Sequence, residues 1–254
     1  MAVGIIPARW GASRLPGKPL AMIGDAPLIV HVLRNAQQAQ TLREILVATD
    51  DERIARAVEA DGGHAVMTST EHPSGTDRVA EASARFEDDI IVNIQGDEPQ
   101  ILPTTIDAVC ELLERDSELA MATAASPLGT ADDHESPHCV KVVKDTAGRA
   151  LYFSRAPIPH FRDTVDFVSD ADRLSRGLVL SHIGLYAYRR GALTELVSMP
   201  PSPLEQAEKL EQLRALEAGM KIGVAVVDDF ARGIDTPDDL DAFRQCVEAA
   251  DQSD

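Results

Sequence analysis

Three cationic side chains share one short loop near the start of the chain. Arg9, Arg14 and Lys18 lie in the stretch GIIPARWGASRLPGKPL, which begins as an apolar run and continues with glycines and prolines. Glycines let a backbone approach a ligand closely, and guanidinium and ammonium groups neutralise an anion. The composition predicts an anion-binding loop, although a solvated surface loop whose cations pair with nearby carboxylates would also account for it.

The loop resembles a phosphate-binding P-loop but differs from it at two points. A P-loop has four residues between its glycines and a Ser or Thr after its lysine. Here five residues separate Gly11 from Gly17, and Pro19 follows Lys18. Because the missing hydroxyl is the group that a P-loop places on Mg²⁺, a metal would have to be held by residues elsewhere in the chain.

Two acidic segments are candidates for that task. Asp97 lies in NIQGDEP, directly after an apolar run, and Asp235 lies in GIDTP towards the other end of the chain. A carboxylate at the end of a strand can hold a divalent ion against a bound phosphate. Taken singly, either acid could instead be a turn residue or a helix cap, and Thr236 is a second candidate for a cap.

A third polar segment, EHPSGTDR at residues 71–78, supplies hydroxyls, a glycine and an arginine. Ser74 or Thr76 could cap a helix there, or the start of that helix could receive an anion or the edge of a base. His182 lies within an apolar run, which is typical of a histidine in the core. No nucleophilic triad can be inferred from spacing, because such triads are defined by geometry.

The elements that must position these segments alternate between strand and helix. The apolar patterns predict strands at residues 3–7, 44–49, 65–67, 90–94 and 119–124, and helices at residues 27–40, 52–60, 76–86 and 103–115. This alternation predicts an α/β fold, a mostly parallel twisted sheet with helices on both faces and ligands at the carboxyl ends of its strands. The polar loops 8–19 and 95–99 both fall at such ends.

The pattern changes at about residue 125. Predicted strands at residues 139–144, 150–153 and 179–188 follow one another with few helices, which indicates antiparallel pairing. A helix at 204–218, a strand at 221–226 and a helix at 237–249 complete the chain. We expect a single domain over residues 1–254, with a smaller antiparallel insertion at about 125–200.

Composition excludes several classes of protein. The 254 residues are 44% hydrophobic, enough for a full core, and the formal net charge of −18 disfavours nucleic acid as a partner. The three cysteines are widely spaced, which argues against structural zinc and a disulfide framework. No apolar run is long enough for a membrane helix and no leader-like segment is visible, so we expect a cytoplasmic protein without membrane insertion.

Nine segments in order resemble one family, the 3-deoxy-manno-octulosonate cytidylyltransferases, or CMP-Kdo synthetases. They are IPARWGASRLPGKPL, VATDDERIARAV, HPSGTDRVAEA, IVNIQGDEP, VKVV, LYFSRAPIP, HIGLYAYR, LEQAEKLEQLRALEAG and GIDTPDDL. The resemblance runs from about residue 3 to residue 244. It implies a nucleotide-diphospho-sugar transferase-like fold and a homodimer, for which the 125–200 insertion is the candidate interface. It also implies that CTP and the acid sugar Kdo react, with Mg²⁺ as cofactor, to give CMP-Kdo and pyrophosphate for lipopolysaccharide biosynthesis.

The resemblance also implies roles for single residues. The positions that match the contacts to the CTP phosphates are Arg9, Arg14 and Lys18, and those in the cytosine-recognition loop are Ser74 and Gly75. Asp97 and Asp235 match the metal-binding positions and, with Arg9 and Lys18, form the catalytic set. The segments on the sugar side contain Arg78, Gln95, Arg155, His182, Tyr186, Glu211 and Gln212.

Among the sugar-side residues, Arg155 is our candidate for gripping the sugar carboxylate, because a guanidinium can bind a carboxylate through two parallel hydrogen bonds. His182, Glu211 and Gln212 would recognise hydroxyl groups. The sequence RWGAS, with Trp10, stands where the family often has a tyrosine. Two alternatives remain at this stage: CMP transfer to another acid sugar, either an 8-amino analogue of Kdo or a sialic-acid-like sugar, and a non-catalytic nucleotide-binding protein.

Overall fold

The computed structural model describes residues 1–11, 15–128, 130–162, 177–228 and 233–251. The chain divides into two compact units, one formed by Met1–Asp107 with Ala231–Asp254 and the other by Ala108–Phe230. The two ends of the sequence therefore belong to the same unit. None of the helices in the described part of the chain has the length and apolarity needed to span a bilayer.

The first unit is built on four parallel strands. They are β1 (Ala2–Ala8), β4 (Leu42–Thr49), β5 (His64–Met67) and β6 (Ile90–Asn93), in the spatial order β6, β1, β4, β5. A short hairpin pairs β2 (Met22–Ile23) with β3 (Ala26–Pro27). The helices are a 3-10 helix at Lys18–Leu20, then α1 (Leu28–Ala36), α2 (Glu52–Ala60), α3 (Gly75–Ser83) and, from the end of the chain, α9 (Pro237–Asp251).

Strand β1 is the centre of this unit. Six of its seven residues are buried, and because successive side chains of a strand point to opposite faces, both faces of the sheet are covered. Ala8 is in register with Thr49, the last residue of β4, so the loops that follow β1 and β4 leave the sheet at the same edge. Strand β6 runs parallel to β1, and its following loop leaves in the same direction.

A small apolar cluster fixes the last helix to the loop after β1. Ile23, Leu28, Ile234 and Leu240 are all buried and pack together, and Leu15 lies against them. Burial of such side chains contributes roughly 1.5–3 kcal/mol each. The cluster therefore brings the segment that carries Asp235 beside the segment that carries Lys18.

The second unit is mostly antiparallel. Its strands are β7 (Met121–Pro127), β8 (Lys141–Lys144), β9 (Ala150–Ser154), β10 (Leu180–Arg189) and β11 (Ile222–Val226), in the order β11, β7, β10, β8, β9. Only β11 and β7 are parallel among these described pairs. Helix α4 (Pro103–Arg115) contains the boundary with the first unit, and α5 (Ala131–Glu135), α6 (Arg190–Ser198), α7 (Pro203–Glu208) and α8 (Gln212–Glu217) follow it.

The predicted fold class is confirmed, because parallel strands alternate with helices in the first unit and, apart from the β2–β3 hairpin, the antiparallel pairing lies after residue 120. One predicted helix is wrong: residues 204–218 form two helices, α7 and α8, separated at Lys209, which adopts a left-handed φ of 56°. The carbonyl of Glu208 accepts a hydrogen bond from Arg155 Nε at 2.8 Å. That tertiary contact satisfies a carbonyl at the end of α7, and helical periodicity cannot reveal it.

We expect Gly96→Ala to reduce the free energy of unfolding by about 1–3 kcal/mol, the usual cost of overpacking. A Cβ at Gly96 would lie 2.7 Å from the backbone oxygen of Pro7 in β1, and a backbone atom of a central strand cannot move aside cheaply. Urea unfolding followed by circular dichroism measures the effect. Gly191→Ala is the control, because its Cβ would meet open space in α6, and equal stability of the two variants would contradict the prediction.

Candidate functional site

A cavity of about 310 Å³ lies at the C-terminal ends of the parallel strands in the first unit. Many of the residues predicted from the sequence line it together: Arg9, Lys18, Ser74, Gly75, Arg78, Gln95, Asp97 and Asp235. Arg14, which was also predicted, lies outside the described residues. The structure thus brings into one place segments that are far apart in the sequence.

The ammonium group of Lys18 is the central contact of the cavity. Its Nζ donates to Asp97 Oδ2 at 2.6 Å, to the backbone oxygen of Ile234 at 2.7 Å and to Asp235 Oδ1 at 3.4 Å. The Lys18 side chain is 13% exposed, whereas those of Asp97 and Asp235 are 32% and 46% exposed. Two carboxylates therefore converge on one cation and keep part of their surface open to the cavity.

Backbone contacts hold the loops that carry these groups. Gly17 has a left-handed φ of 71° and opens the 3-10 helix whose first residue is Lys18. The amide of Ile234 donates to the carbonyl of Asp97 at 2.8 Å, which joins the two acidic loops directly. Asn35 on α1 donates from Nδ2 to the carbonyl of Pro99, at 3.1 Å, and so anchors the chain just after Asp97.

The start of α9 is capped by Thr236 and Asp239, and the Asp235 carboxylate takes no part in this cap. Asp239 Oδ2 accepts from the amide of Thr236 at 2.8 Å and from its hydroxyl at 2.7 Å, and the Asp239 amide donates back to Thr236 Oγ1 at 3.2 Å. Thr236 is therefore the capping residue that the sequence left open. The carboxylate of Asp235 faces the lysine instead.

Arg9 differs from Lys18 in its surroundings. It follows the last residue of β1, lines the cavity and is exposed. Lys18 is shared between two carboxylates, whereas Arg9 has no hydrogen bond or ion pair with any residue in the described ranges. No carboxylate in the described ranges therefore neutralises the Arg9 guanidinium, which can bind an anion.

The start of α3 forms the other side of the cavity. Ser74 caps this helix: its Oγ accepts from the amide of Asp77 at 3.2 Å and donates to Asp77 Oδ2 at 2.6 Å. The preceding loop is tied to Glu81, which accepts from the amide of Ser69 at 3.0 Å and contacts His72 Nε2. These contacts, the Ser69 amide first, lower the pKa of the Glu81 carboxyl. His72 also lines the cavity, a position that sequence reasoning did not single out.

Arg78 supports the cavity wall from below its surface. It is only 3% exposed, and its guanidinium donates to Asp50 Oδ2 at 2.8 Å and to Thr68 Oγ1. The pair joins α3 to the residue just after β4. Both charges are largely desolvated, so removing either partner would leave the other unpaired in the interior, which is the costly case for a buried pair.

The other predicted sugar-side residues belong to the second unit: Arg155, His182, Tyr186, Glu211 and Gln212. Arg155 uses Nε and Nη1 on the carbonyls of Glu208, at 2.8 Å, and Pro137, at 3.0 Å. Gln212 is 4% exposed, and its Nε2 has no hydrogen-bond partner among the described residues. Glu211 precedes α8 and makes no side-chain cap to it.

His182 is held in one protonation state and one tautomer. The Thr123 hydroxyl donates its proton to a backbone carbonyl, that of Leu185 at 2.8 Å, and must therefore accept from His182 Nε2, which lies 2.9 Å away. The rings of Phe153 and Tyr186 lie 5.0 Å and 5.5 Å from the imidazole. Although a small part of the residue is exposed, burial of the ring lowers its pKa to about 3. His182 is neutral near pH 7 and presents Nδ1 as an acceptor.

A buried lysine that sequence reasoning missed supports Arg155. Lys141 on β8 has no exposed surface, and its Nζ donates to the carbonyls of Ser136, Cys139 and Arg155, each at 2.7 Å. Desolvation lowers the pKa of this ammonium group. Its partners are all backbone atoms, so no motif of side chains could have identified it.

Comparison with known proteins identifies the family. The sequence pattern of the cytidylyltransferase family matches residues 3–222. The 3-deoxy-manno-octulosonate cytidylyltransferase of Geotalea daltonii is 50% identical over 238 residues, which cover 93% of this chain and 94% of that protein. The enzyme of that name from a Bradyrhizobium species is 50% identical over 254 residues, covering 97% of each chain.

Solved structures show the same relationship. A CMP:2-keto-3-deoxy-manno-octonic acid synthetase complexed with CTP is 42% identical, with a TM-score of 0.90 over 98% of this chain and 99% of that chain. A cytidylyltransferase from Leptospira borgpetersenii, 17% identical with a TM-score of 0.64 over 98% of this chain and 87% of that chain, shares the fold. This chain therefore belongs to the cytidylyltransferase family and, within it, to the 3-deoxy-manno-octulosonate cytidylyltransferases.

Proposed function

We propose that this protein transfers CMP from CTP to Kdo and releases pyrophosphate, the activation step that supplies CMP-Kdo for lipopolysaccharide synthesis. The observation that carries the proposal is the position of Lys18 between Asp97 and Asp235, in a cavity that Arg9 also lines. The cavity thus contains both cationic groups that can bind a triphosphate and carboxylates that can bind a metal. Because the chain belongs to this family, we assign CTP and Kdo as the substrates.

The reaction is an in-line displacement. The anomeric hydroxyl of the sugar attacks the α-phosphorus of CTP, a new phosphorus–oxygen bond forms, and the bond to the β-phosphate breaks to release pyrophosphate. Phosphoryl transfer of this kind depends mainly on positioning and on neutralising charge. Arg9 and Lys18 supply cations for the phosphates, and we assign Arg14 the same role.

The donor set also fits a magnesium ion. No cluster of three or more ligating side chains occurs in the described part of the chain, but Asp97 and Asp235 already converge on the Lys18 ammonium. Mg²⁺ is typically held by one or two carboxylates together with substrate phosphates and water. We assign Asp97 and Asp235 to hold it; when bound, Mg²⁺ supplies positive charge at the phosphates and lowers the pKa of a coordinated hydroxyl.

The remaining site residues divide between the base and the sugar. We assign Ser74 and Gly75, at the start of α3, to the cytosine end of the nucleotide; Gln95 and Arg78 line the same cavity. In the second unit, His182 Nδ1 can accept from a sugar hydroxyl and Gln212 Nε2 can donate to an oxygen. We assign these two, with Arg155, Tyr186 and Glu211, to sugar recognition.

The geometry refines the role of Arg155. Its Nε and one N–H of Nη1 already donate to carbonyls, so the second N–H of Nη1 and both N–H groups of Nη2 remain for a ligand. We therefore assign the sugar carboxylate to the Nη1 and Nη2 end of the guanidinium, because Nε is already bonded to Glu208. The bonds to Glu208 and Pro137 keep the guanidinium oriented before the sugar arrives.

Pyrophosphate release tests the proposed function directly. The purified protein is incubated with CTP, Mg²⁺ and one sugar at a time from a panel of Kdo, its 8-amino analogue and N-acetylneuraminic acid. We expect Kdo to give the highest kcat/KM. Higher kcat/KM with another sugar would change the assigned substrate, and no release with any sugar despite CTP binding would favour a non-catalytic nucleotide-binding protein.

Asp97→Asn is expected to lower kcat by about 100-fold or more, the usual magnitude when one preorganised charge at a reacting phosphate is lost. The variant is assayed across a series of Mg²⁺ concentrations, and circular dichroism verifies its fold. Asp238→Asn removes the same charge from an exposed position in the first turn of α9 and should match the parent protein. Near-normal turnover of Asp97→Asn at ordinary Mg²⁺ would refute the metal assignment.

We also propose that the protein is a homodimer, with its interface in the segment 125–200. Leu151 on β9 supports this placement, since it is 61% exposed and lies on a strand that pairs only with β8 among the described strands. Gel filtration with light scattering should give twice the mass of one chain. A monomer at working concentration would contradict the proposal.

A further inference from the structure

Trp10, the only tryptophan of the chain, belongs to the phosphate-binding loop, residues 8–19, and an arginine from another element lies on its ring. The guanidinium carbon of Arg53 lies 3.5 Å from the centre of the Trp10 ring. At this distance the cation rests on the face of an aromatic ring, an arrangement that is attractive because the face carries negative charge density. Arg53 is the second residue of α2, so the contact links this helix to the loop.

Arg53 is itself held in place by the residue that caps α2. Its Nε donates to Asp51 Oδ1 at 2.9 Å and its Nη2 to Asp51 Oδ2 at 2.6 Å, a fork that fixes the plane of the guanidinium. The Asp51 carboxylate also accepts from the amide of Arg53 at 2.8 Å and so caps the helix. The side-chain bond from Arg53 is the main reason that the pKa of the Asp51 carboxyl falls to about 2.

Besides its contact with Arg53, the Trp10 ring packs against Gly17. A Cβ at Gly17 would lie 2.8 Å from the Cη2 atom of the ring, so a side chain at this position would displace the indole. Gly17 has a left-handed φ of 71°, and Lys18 follows it directly. The position of the indole is therefore coupled to the turn that aims the Lys18 ammonium at Asp97 and Asp235.

We propose that Arg53 is a positioning residue for CTP binding: it holds Trp10 against Gly17 and thereby keeps the turn at Gly17 in the conformation that presents Lys18. We call Asp51, Arg53 and Trp10 the Trp10 stack. This inference rests on the proposed function, because it concerns how that function's nucleotide site is kept in shape. None of the three residues lines the cavity, so the stack acts through the loop and not by touching the ligand.

Without the stack, CTP would have to order the loop when it binds, and that ordering would reduce the observed affinity. Cation–π contacts at exposed sites have strengths that correspond to a change of about 2- to 5-fold in an equilibrium constant. Arg53 is 52% exposed, so solvent screens the contact in part and the change should not exceed this range. The fold should be unaffected, because no buried packing is lost.

The first experiment compares Arg53→Ala with Arg56→Ala. Arg56 is one turn further along α2, is 70% exposed, and bonds only to Glu52 among the described residues. In Arg53→Ala we expect the single tryptophan to be quenched more readily by acrylamide, and the KM for CTP to rise about 2- to 5-fold with the KM for Kdo unchanged. Arg56→Ala should behave as the parent protein does in every measurement, and both variants should keep its melting temperature.

A second variant separates stacking from charge. Arg53→Lys keeps the positive charge but lacks the planar group that both lies on the indole and forks onto Asp51. We expect it to resemble Arg53→Ala. Full recovery of the CTP KM by lysine would mean that Arg53 acts as a general charge near the phosphates, and the proposal would be overturned.

A double-mutant cycle gives the strictest test. In a Trp10→Leu background the effect of Arg53→Ala on the CTP KM should disappear, because the partner of the guanidinium is absent. An unchanged effect would overturn the proposal. So would equal quenching and equal CTP KM in Arg53→Ala and Arg56→Ala.

Failure of the proposed function would look different. If the parent protein released no pyrophosphate with any sugar, the cytidylyl transfer would be refuted, while acrylamide quenching and direct CTP titration of the same variants would still decide the role of the stack. A larger dissociation constant for CTP in Arg53→Ala, but not in Arg56→Ala, would support the proposed role of the stack. Identical dissociation constants in the two alanine variants would overturn it.

Discussion

Two carboxylates that repel each other are held side by side by one ammonium group, and the site of this protein is organised around that contact. Lys18 donates to Asp97 at 2.6 Å and to Asp235 at 3.4 Å. The three residues come from the loop after β1, the loop after β6 and the segment before α9. Because the cavity shields them only in part, the attraction is moderated by solvent, but its geometric effect is strict: the three segments keep fixed relative positions within the first unit.

The backbone around this contact has little freedom to vary. Gly96 approaches the carbonyl of Pro7 so closely that no side chain fits, and Gly17 adopts a conformation that few other residues accept. A main-chain bond from Ile234 to Asp97 and the apolar cluster beneath α9 hold the last segment in place. Charged groups can thus be set close together before a ligand binds, because the rigid elements that carry them cannot separate.

The parallel strands of the first unit and the helices between them could be predicted from the sequence, because hydrophobic periodicity is a local signal. The β2–β3 hairpin and helices α5 and α6 were not predicted. The missing hydroxyl after Lys18 and the two acids predicted at strand ends led us to propose Asp97 and Asp235 as metal ligands. Only the structure shows that Thr236 caps α9 and that the Asp235 carboxylate contacts Lys18. The break at Lys209 and the burial of Lys141 depend on backbone carbonyls from distant segments. Such partners leave no mark in residue types, so they could not be predicted.

The distribution of charge also bears on how an acidic protein binds a polyanion. In the described part of the cavity the charges of Arg9 and Lys18 are balanced by those of Asp97 and Asp235, and Arg78 is neutralised by Asp50. A bound triphosphate would then add about four negative charges to a cavity with almost no net charge, in a protein whose net charge is −18. The divalent ion that we propose at Asp97 and Asp235 would offset part of that negative charge.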